Sequence, residues 1–133
     1  MNNIRFRHFD TRLSEMRYSD KHDGEFYINT KGVLYMYAIP KSEAGLNTEY
    51  YKSYEVMRYI GMKDKNGVDI YEGDIVQFNV REDKRTPESI PYYNQKGAVE
   101  ISFGSVGFGG WDSAYCTDVL VVGNIYQDKH LLN

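Results

Sequence analysis

Three acids, Asp69, Glu72 and Asp74, crowd one short stretch of the chain. Two carboxylates held close together can divide the roles of general acid and general base. The same three acids also suit the capping and solvation of a turn, and that is the reading adopted. The run Asp64-Lys65-Asn66-Gly67-Val68-Asp69 has a faint look of a calcium loop. Its glycine comes too early, however, and no glutamate stands at the twelfth position. His8, His22 and His130 are scattered without paired ligand spacing, and Cys116 is the single cysteine, so nothing resembles a zinc site. Cys116 as a nucleophile would need a histidine delivered by the fold; a half-buried structural thiol is the simpler reading. The glycine-rich segment Gly104–Gly110 lacks the Gly-Lys-Ser/Thr ending of a phosphate loop and the strand–helix setting of a dinucleotide fingerprint. No residue is therefore assigned as catalytic, cofactor-binding or metal-ligating, and no cofactor is expected.

Binding is the remaining chemistry. Sixteen Lys and Arg stand against nineteen Asp and Glu, a net charge of −3, which is not the basic footprint usual for nucleic acid. The richest basic stretch, Arg81 to Arg85, carries two acids of its own. Tyrosine is abundant, at 13 residues with six Phe and one Trp. Aromatic side chains stack bases and are enriched at protein interfaces, although packing on a pleated surface explains most of them. Arg81, Lys84, Arg85, Tyr92, Tyr93 and Lys96, in or beside one loop, are the candidate contacts for nucleic acid or a protein partner.

These side chains need strands to carry them. Ile4 to Phe9 reads as a strand ending at Asp10-Thr11, with Met16 to Tyr18 as a short partner. After the turn pair Asp23-Gly24, Glu25–Thr30 and Val33–Ile39 read as antiparallel strands joined at Lys31-Gly32. Residues 41–48 read as a loop. Glu49–Tyr59 fits both helical and strand spacing, and its Tyr, Val and Ile favour a strand from Tyr54 onward. Asn66-Gly67 is expected to form a type I′ hairpin turn and Glu72-Gly73-Asp74 a second turn, from which a long strand starts at Asp74. Gly73 is expected in a conformation other residues hold poorly. Arg81–Gln95, with Pro87 and Pro91, reads as a long loop. Gly97–Gly104 alternates, with Val99, Ile101 and Phe103 on one face. Gly104 belongs to a turn or bulge, and Asp118–Tyr126 is an apolar strand broken at Gly123-Asn124. The tail from Gln127 reads as one helical turn that folds Leu131 and Leu132 back on the core. Asn66, Gly67, Gly73, Asp74, Gly104 and Gly123 are thus read as structural turn residues.

The stretch Tyr59–Val76, YIGMKDKNGVDIYEGDIV, with Ile4-Arg5-Phe6-Arg7 before it and VVGNIY…LL after it, resembles the YopX family of phage and prophage proteins. Members of that family show IKFRAWD, then YTGLKDKNGKEIYEGDIV, then VIGNIYENPELL, in the same order. His8-Phe9 departs from the family's Ala-Trp, Asp128-Lys129-His130 from its Asn-Pro-Glu, and residues 33–51 match no motif. The resemblance implies a single, mainly β domain (or α+β with little helix) built of antiparallel sheets. An N-terminal β region spans about 1–58 and a C-terminal region about 59–133, the latter like a small SH3-like barrel. It carries over no catalytic residue. Together with the tyrosines it implies a non-enzymatic accessory protein that acts through protein contacts as a homo-oligomer, its partner an unknown phage or host protein. Nucleic-acid binding by a small β-barrel is the alternative, and an uncharacterised small enzyme the second. The lone cysteine, and an opening without an apolar run, point to a bacterial host cytoplasm and no membrane.

Overall fold

The computed structural model describes residues 5–10, 13–21, 26–28, 34–36, 56–81 and 91–133. It is mostly β, with antiparallel sheets and little helix. The chain divides into two units, Met1–Arg58 and Tyr59–Asn133.

In the first unit, β1 (Phe6–Asp10) pairs antiparallel with β2 (Glu15–Tyr18), Phe9 opposite Met16. The short connection is tied by the Leu13 N–H, which donates to Asp10 Oδ1 at 3.3 Å. The other edge of β1 pairs with the first residues of β5 (Met57–Lys63), Arg7 opposite Met57. The Tyr18 ring takes two cations, Lys21 Nζ at 4.7 Å and the Arg7 guanidinium at 5.9 Å from its centroid. The next two strands, β3 (Phe26–Ile28) and β4 (Leu34–Met36), pair antiparallel with Ile28 opposite Leu34, shorter than the expected spans but in the expected order. The turn pairs at 23–24 and 31–32, the loop at 41–48 and the ambiguous residues 49–55 lie outside the described residues.

In the second unit, the rest of β5 forms a hairpin with β6 (Asp69–Tyr71). Four strands then follow as a meander: β7 (Asp74–Val80), β8 (Tyr92–Ser102), β9 (Ser105–Phe108) and β10 (Trp111–Asp112). A 3-10 turn, η1 (Ser113–Tyr115), leads into β11 (Cys116–Asn124), which returns to pair with β7. The sheet order is therefore β10-β9-β8-β7-β11, and the sheet is curled. Alternation along β7 buries Val76, Phe78 and Val80, which join Ile70, Val99, Phe108 and Val119 in one core. The rings of Phe78 and Phe108 meet with centroids 5.7 Å apart, and full burial of such a ring stabilises by about 1.5–3 kcal/mol. A second 3-10 turn, η2 (Lys129–Leu132), closes the chain; Leu131 is half-buried and Leu132 exposed, so only the first fits the expected fold-back.

The turns differ from expectation in an instructive way. At Asn66-Gly67 only Gly67 has positive φ, at +82°. The Gly67 N–H donates to Asp64 O at 3.0 Å and the Asp64 N–H to Val68 O at 2.8 Å, so the hairpin is a turn through Lys65-Asn66 closed by a glycine bulge, not type I′. Among the described residues, the two turns with positive φ at both central residues are Phe103-Gly104 (+50°, +78°), between β8 and β9, and Gly109-Gly110 (+56°, +89°), between β9 and β10. These are the type I′ positions. Phe103 accordingly leaves the face of Val99 and Ile101 and is fully exposed at the hairpin apex. Gly73 has φ +83° at the β6–β7 corner, and the Tyr71 N–H donates to Asp74 Oδ2 there at 2.8 Å. Gly123 marks no turn: it lies inside β11 beside a register shift, where a Cβ would sit 2.6 Å from Asp128 Oδ2. The strand is not broken before Asn124, because the Asn124 N–H is held by Asp128 Oδ2 at 3.0 Å. Tyr92–Gln95, read as loop, opens β8; β7 supplies a ladder partner that polarity and Pro91 concealed.

Candidate functional site

Four of the six proposed contact residues fall in the described part of the second unit: Arg81, Tyr92, Tyr93 and Lys96, all exposed. Lys84 and Arg85 lie outside the described residues. The fold spaces the four out from Val80, the last residue of β7. Val80 pairs with Tyr92 on one side and with Cys116 on the other. Arg81 follows directly; its N–H donates to Tyr115 O at 2.8 Å, and its guanidinium lies over the Tyr115 ring at 5.6 Å. Tyr92, 43% exposed, meets the half-buried Trp111 with ring centroids 5.2 Å apart and planes tilted by 45°. Trp111, Tyr115 and Cys116 pack their inner sides on the core. One end of the curled sheet therefore carries an aromatic rim of Trp111, Tyr92 and Tyr115, with Tyr93 beside it, 65% exposed.

One amide bridges the strands that flank β7 near the rim. Asn79 Oδ1 accepts the Asn94 N–H at 2.9 Å, while Asn79 Nδ2 donates to Asp118 Oδ2 at 3.2 Å. Asn94 and Asp118 have φ of +54° and +53° and sit at the irregularities of β8 and β11. Asn79 thus fixes two bulges on the strands flanking β7, and the bulge at Asn94 aims Tyr93 outward. Sequence reading missed Trp111 and Tyr115 as members of this surface. Trp111 stands just before η1 and Tyr115 is its last residue; the Asp112 cap on that turn, Oδ1 accepting from the Ala114 N–H at 2.9 Å, is the local signal.

The groups considered for catalysis have structural partners. Asp64 Oδ1 accepts the N–H groups of Asn66 and Val68 at 2.8 and 2.9 Å, and Oδ2 accepts that of Val121 at 3.0 Å. Burial pushes this carboxyl upward, but hydrogen bonds from Val121, Val68 and Asn66, with the charge of Lys65, outweigh it, so its pKa falls below 3.8. The carboxylate, with the Lys65 N–H on Val119 O at 2.9 Å, fastens the β5–β6 hairpin along β11. Burial first, and then the negative charge of Asp112, push the Cys116 thiol up from 9.0 to about 11. Its Sγ lies 3.5 Å from Asp112 O, as a donor would. Asp69 pairs with Lys63 Nζ at 2.6 Å, and Asp74 takes part in the β6–β7 corner. Among the described residues no group of three His, Cys, Asp or Glu is arranged to hold a metal ion, and no helix is long and apolar enough to cross a membrane.

A family model described as YopX protein matches residues 5–133. No curated protein matches the chain. Among solved structures, protein EF1440 from Enterococcus faecalis is similar over 100% of both chains, with a TM-score of 0.55 and 23% identity. That likeness is one of fold.

Proposed function

The chain belongs to the YopX family, and on that premise we propose that it is a phage or prophage accessory protein of the host cytoplasm that self-associates and works through protein contacts rather than catalysis. Phe103 carries the reading. A bulky side chain at positive φ is an outlier, and Phe103 adds to that a fully exposed ring at the apex of the β8–β9 hairpin. Neither feature serves the stability of the chain that bears it. A contact that covers the ring would repay both, since buried aromatic anchors dominate protein interfaces. The hairpin around it, Ser102 to Ser105, brings small uncharged neighbours, which suits an apolar protein contact better than a polyanion.

The second unit supports a small SH3-like barrel as the scaffold: a four-strand meander, a 3-10 turn, and a fifth strand that returns beside the first. Such a scaffold licenses no function by itself. Light scattering over a wide concentration range tests the proposal. The wild-type chain should exceed monomer mass as concentration rises, and Phe103→Asn should shift that rise to higher concentration. A strict monomer throughout, or equal curves for both proteins, removes it.

A further inference from the structure

The β5–β6 hairpin carries a covalent chemistry that the protein-contact reading does not use. Asn-Gly occurs once in the chain, at Asn66-Gly67, and both residues are exposed at the tip of that hairpin. In such a pair the glycine backbone nitrogen, once it has lost its proton, can attack the asparagine side-chain carbonyl. A bond forms between Gly67 N and Asn66 Cγ, the Cγ–Nδ2 bond breaks, and ammonia leaves. Water then opens the resulting succinimide to aspartate or isoaspartate. Glycine favours the attack because it has no Cβ to hinder its nitrogen or to restrict its backbone. We propose that Asn66 is a deamidation site, and that the clamp formed by Asp64 holds the reaction back until the hairpin opens.

The clamp acts on both sides of the reacting bond. The attacking nitrogen is itself engaged, since the Gly67 N–H donates to Asp64 O at 3.0 Å. The Asn66 and Val68 N–H groups, one before and one after it, share Asp64 Oδ1 at 2.8 and 2.9 Å. Ring closure needs rotation of the Asn66 backbone to bring Cγ onto Gly67 N, and these bonds oppose that rotation. The hairpin is in turn tied to β11, by the Val121 N–H on Asp64 Oδ2 at 3.0 Å and the Lys65 N–H on Val119 O at 2.9 Å. Reaction therefore waits on a local opening that breaks these bonds together. The products feed back on the clamp. Aspartate at 66 adds a negative charge between Asp64 and Asp69. Isoaspartate inserts a main-chain carbon between the two N–H groups that share Asp64 Oδ1. Either change loosens the hairpin, and no step restores the amide.

The experiment incubates the full chain at pH 8 and follows conversion of Asn66 by peptide mapping and mass spectrometry. A synthetic Lys-Asn-Gly-Val peptide, blocked at both ends, gives the unrestrained rate. The folded chain should react at least about tenfold more slowly than the peptide, and the chain unfolded in urea should match it. Asp64→Asn, shown to be folded by Trp111 fluorescence, should react at least about fivefold faster than wild type. A folded wild type that keeps pace with the peptide, or a folded Asp64→Asn chain no faster than wild type, overturns the proposal. Where the variant does not fold, wild type in urea below its unfolding transition takes its place. The opening free energy read from the rate should then fall with urea less steeply than that of global unfolding, because one hairpin exposes little surface. Equal slopes would put the gate in global unfolding and overturn the role of Asp64.

Discussion

Replacing Phe103 by asparagine should make the protein more stable, not less. The side chain is fully exposed, so its removal gives up no buried area. Its φ of +50°, followed by Gly104 at +78°, is the backbone of a type I′ turn, for which Asn-Gly is a preferred pair. Left-handed backbone costs an ordinary L-residue roughly 1–2 kcal/mol, and asparagine less, because its short side chain bonds locally. The net expectation is a gain of about 1 kcal/mol. Urea unfolding followed by Trp111 fluorescence reads it: with an m-value of about 2 kcal/mol/M, the midpoint rises by roughly 0.5 M. The measurement belongs at the lowest workable concentration, where self-association adds nothing to the wild type. A midpoint that stays put or falls would mean that Phe103 makes contacts within its own chain or that the turn is not strained, and the argument from strain to contact would fail.

Asp64→Asn keeps the shape and the bonds to Asn66 and Val68, but turns an amide donor toward the Val121 N–H; it should cost about 2–3 kcal/mol at pH 7 by chemical denaturation. Because folding lowers the Asp64 pKa from 3.8, its contribution is complete above that value and fades as pH falls through the folded pKa. The gap between wild type and variant should therefore narrow below about pH 4; a gap constant into acid would disprove the assignment. Cys116, with its thiol near 11 instead of 9.0, should alkylate about 100-fold more slowly at pH 8 than an unhindered thiol, and a rate within a few fold of free cysteine would refute that. Gly97→Ala puts a Cβ 2.5 Å from Gly109 Cα, a backbone clash that should cost at least about 3 kcal/mol; a thermal midpoint within a degree of wild type would contradict the close approach of β8 and the β9–β10 turn.

Most strands were legible because their signals are local. Val76, Phe78 and Val80 alternate as a half-buried strand must, and Val99 and Ile101 do the same in β8. Long-range partners were not legible. Asp64 reads as a turn residue, yet one of its oxygens serves Val121, 57 residues away. The site divides in the same way. Tyr92 and Tyr93 stood out by composition, whereas Trp111 joins them only because the sheet curls, with Gly109 lying on Gly97. The type I′ turn went to Asn66-Gly67 on residue preference, but the Asp64 carboxylate holds that loop in another geometry. Phe103, the residue least suited to the conformation, occupies the type I′ position instead. Such conflicts between local preference and observed backbone are expected at functional or strained sites.

Amide hydrogen exchange at low and high protein concentration tests the claim of contact at the hairpin apex most directly. The account predicts that amides from Ser102 to Gly107 exchange more slowly on concentrating the wild type, and that Phe103→Asn abolishes the difference. Identical exchange at both concentrations throughout the β8–β9 hairpin would contradict it.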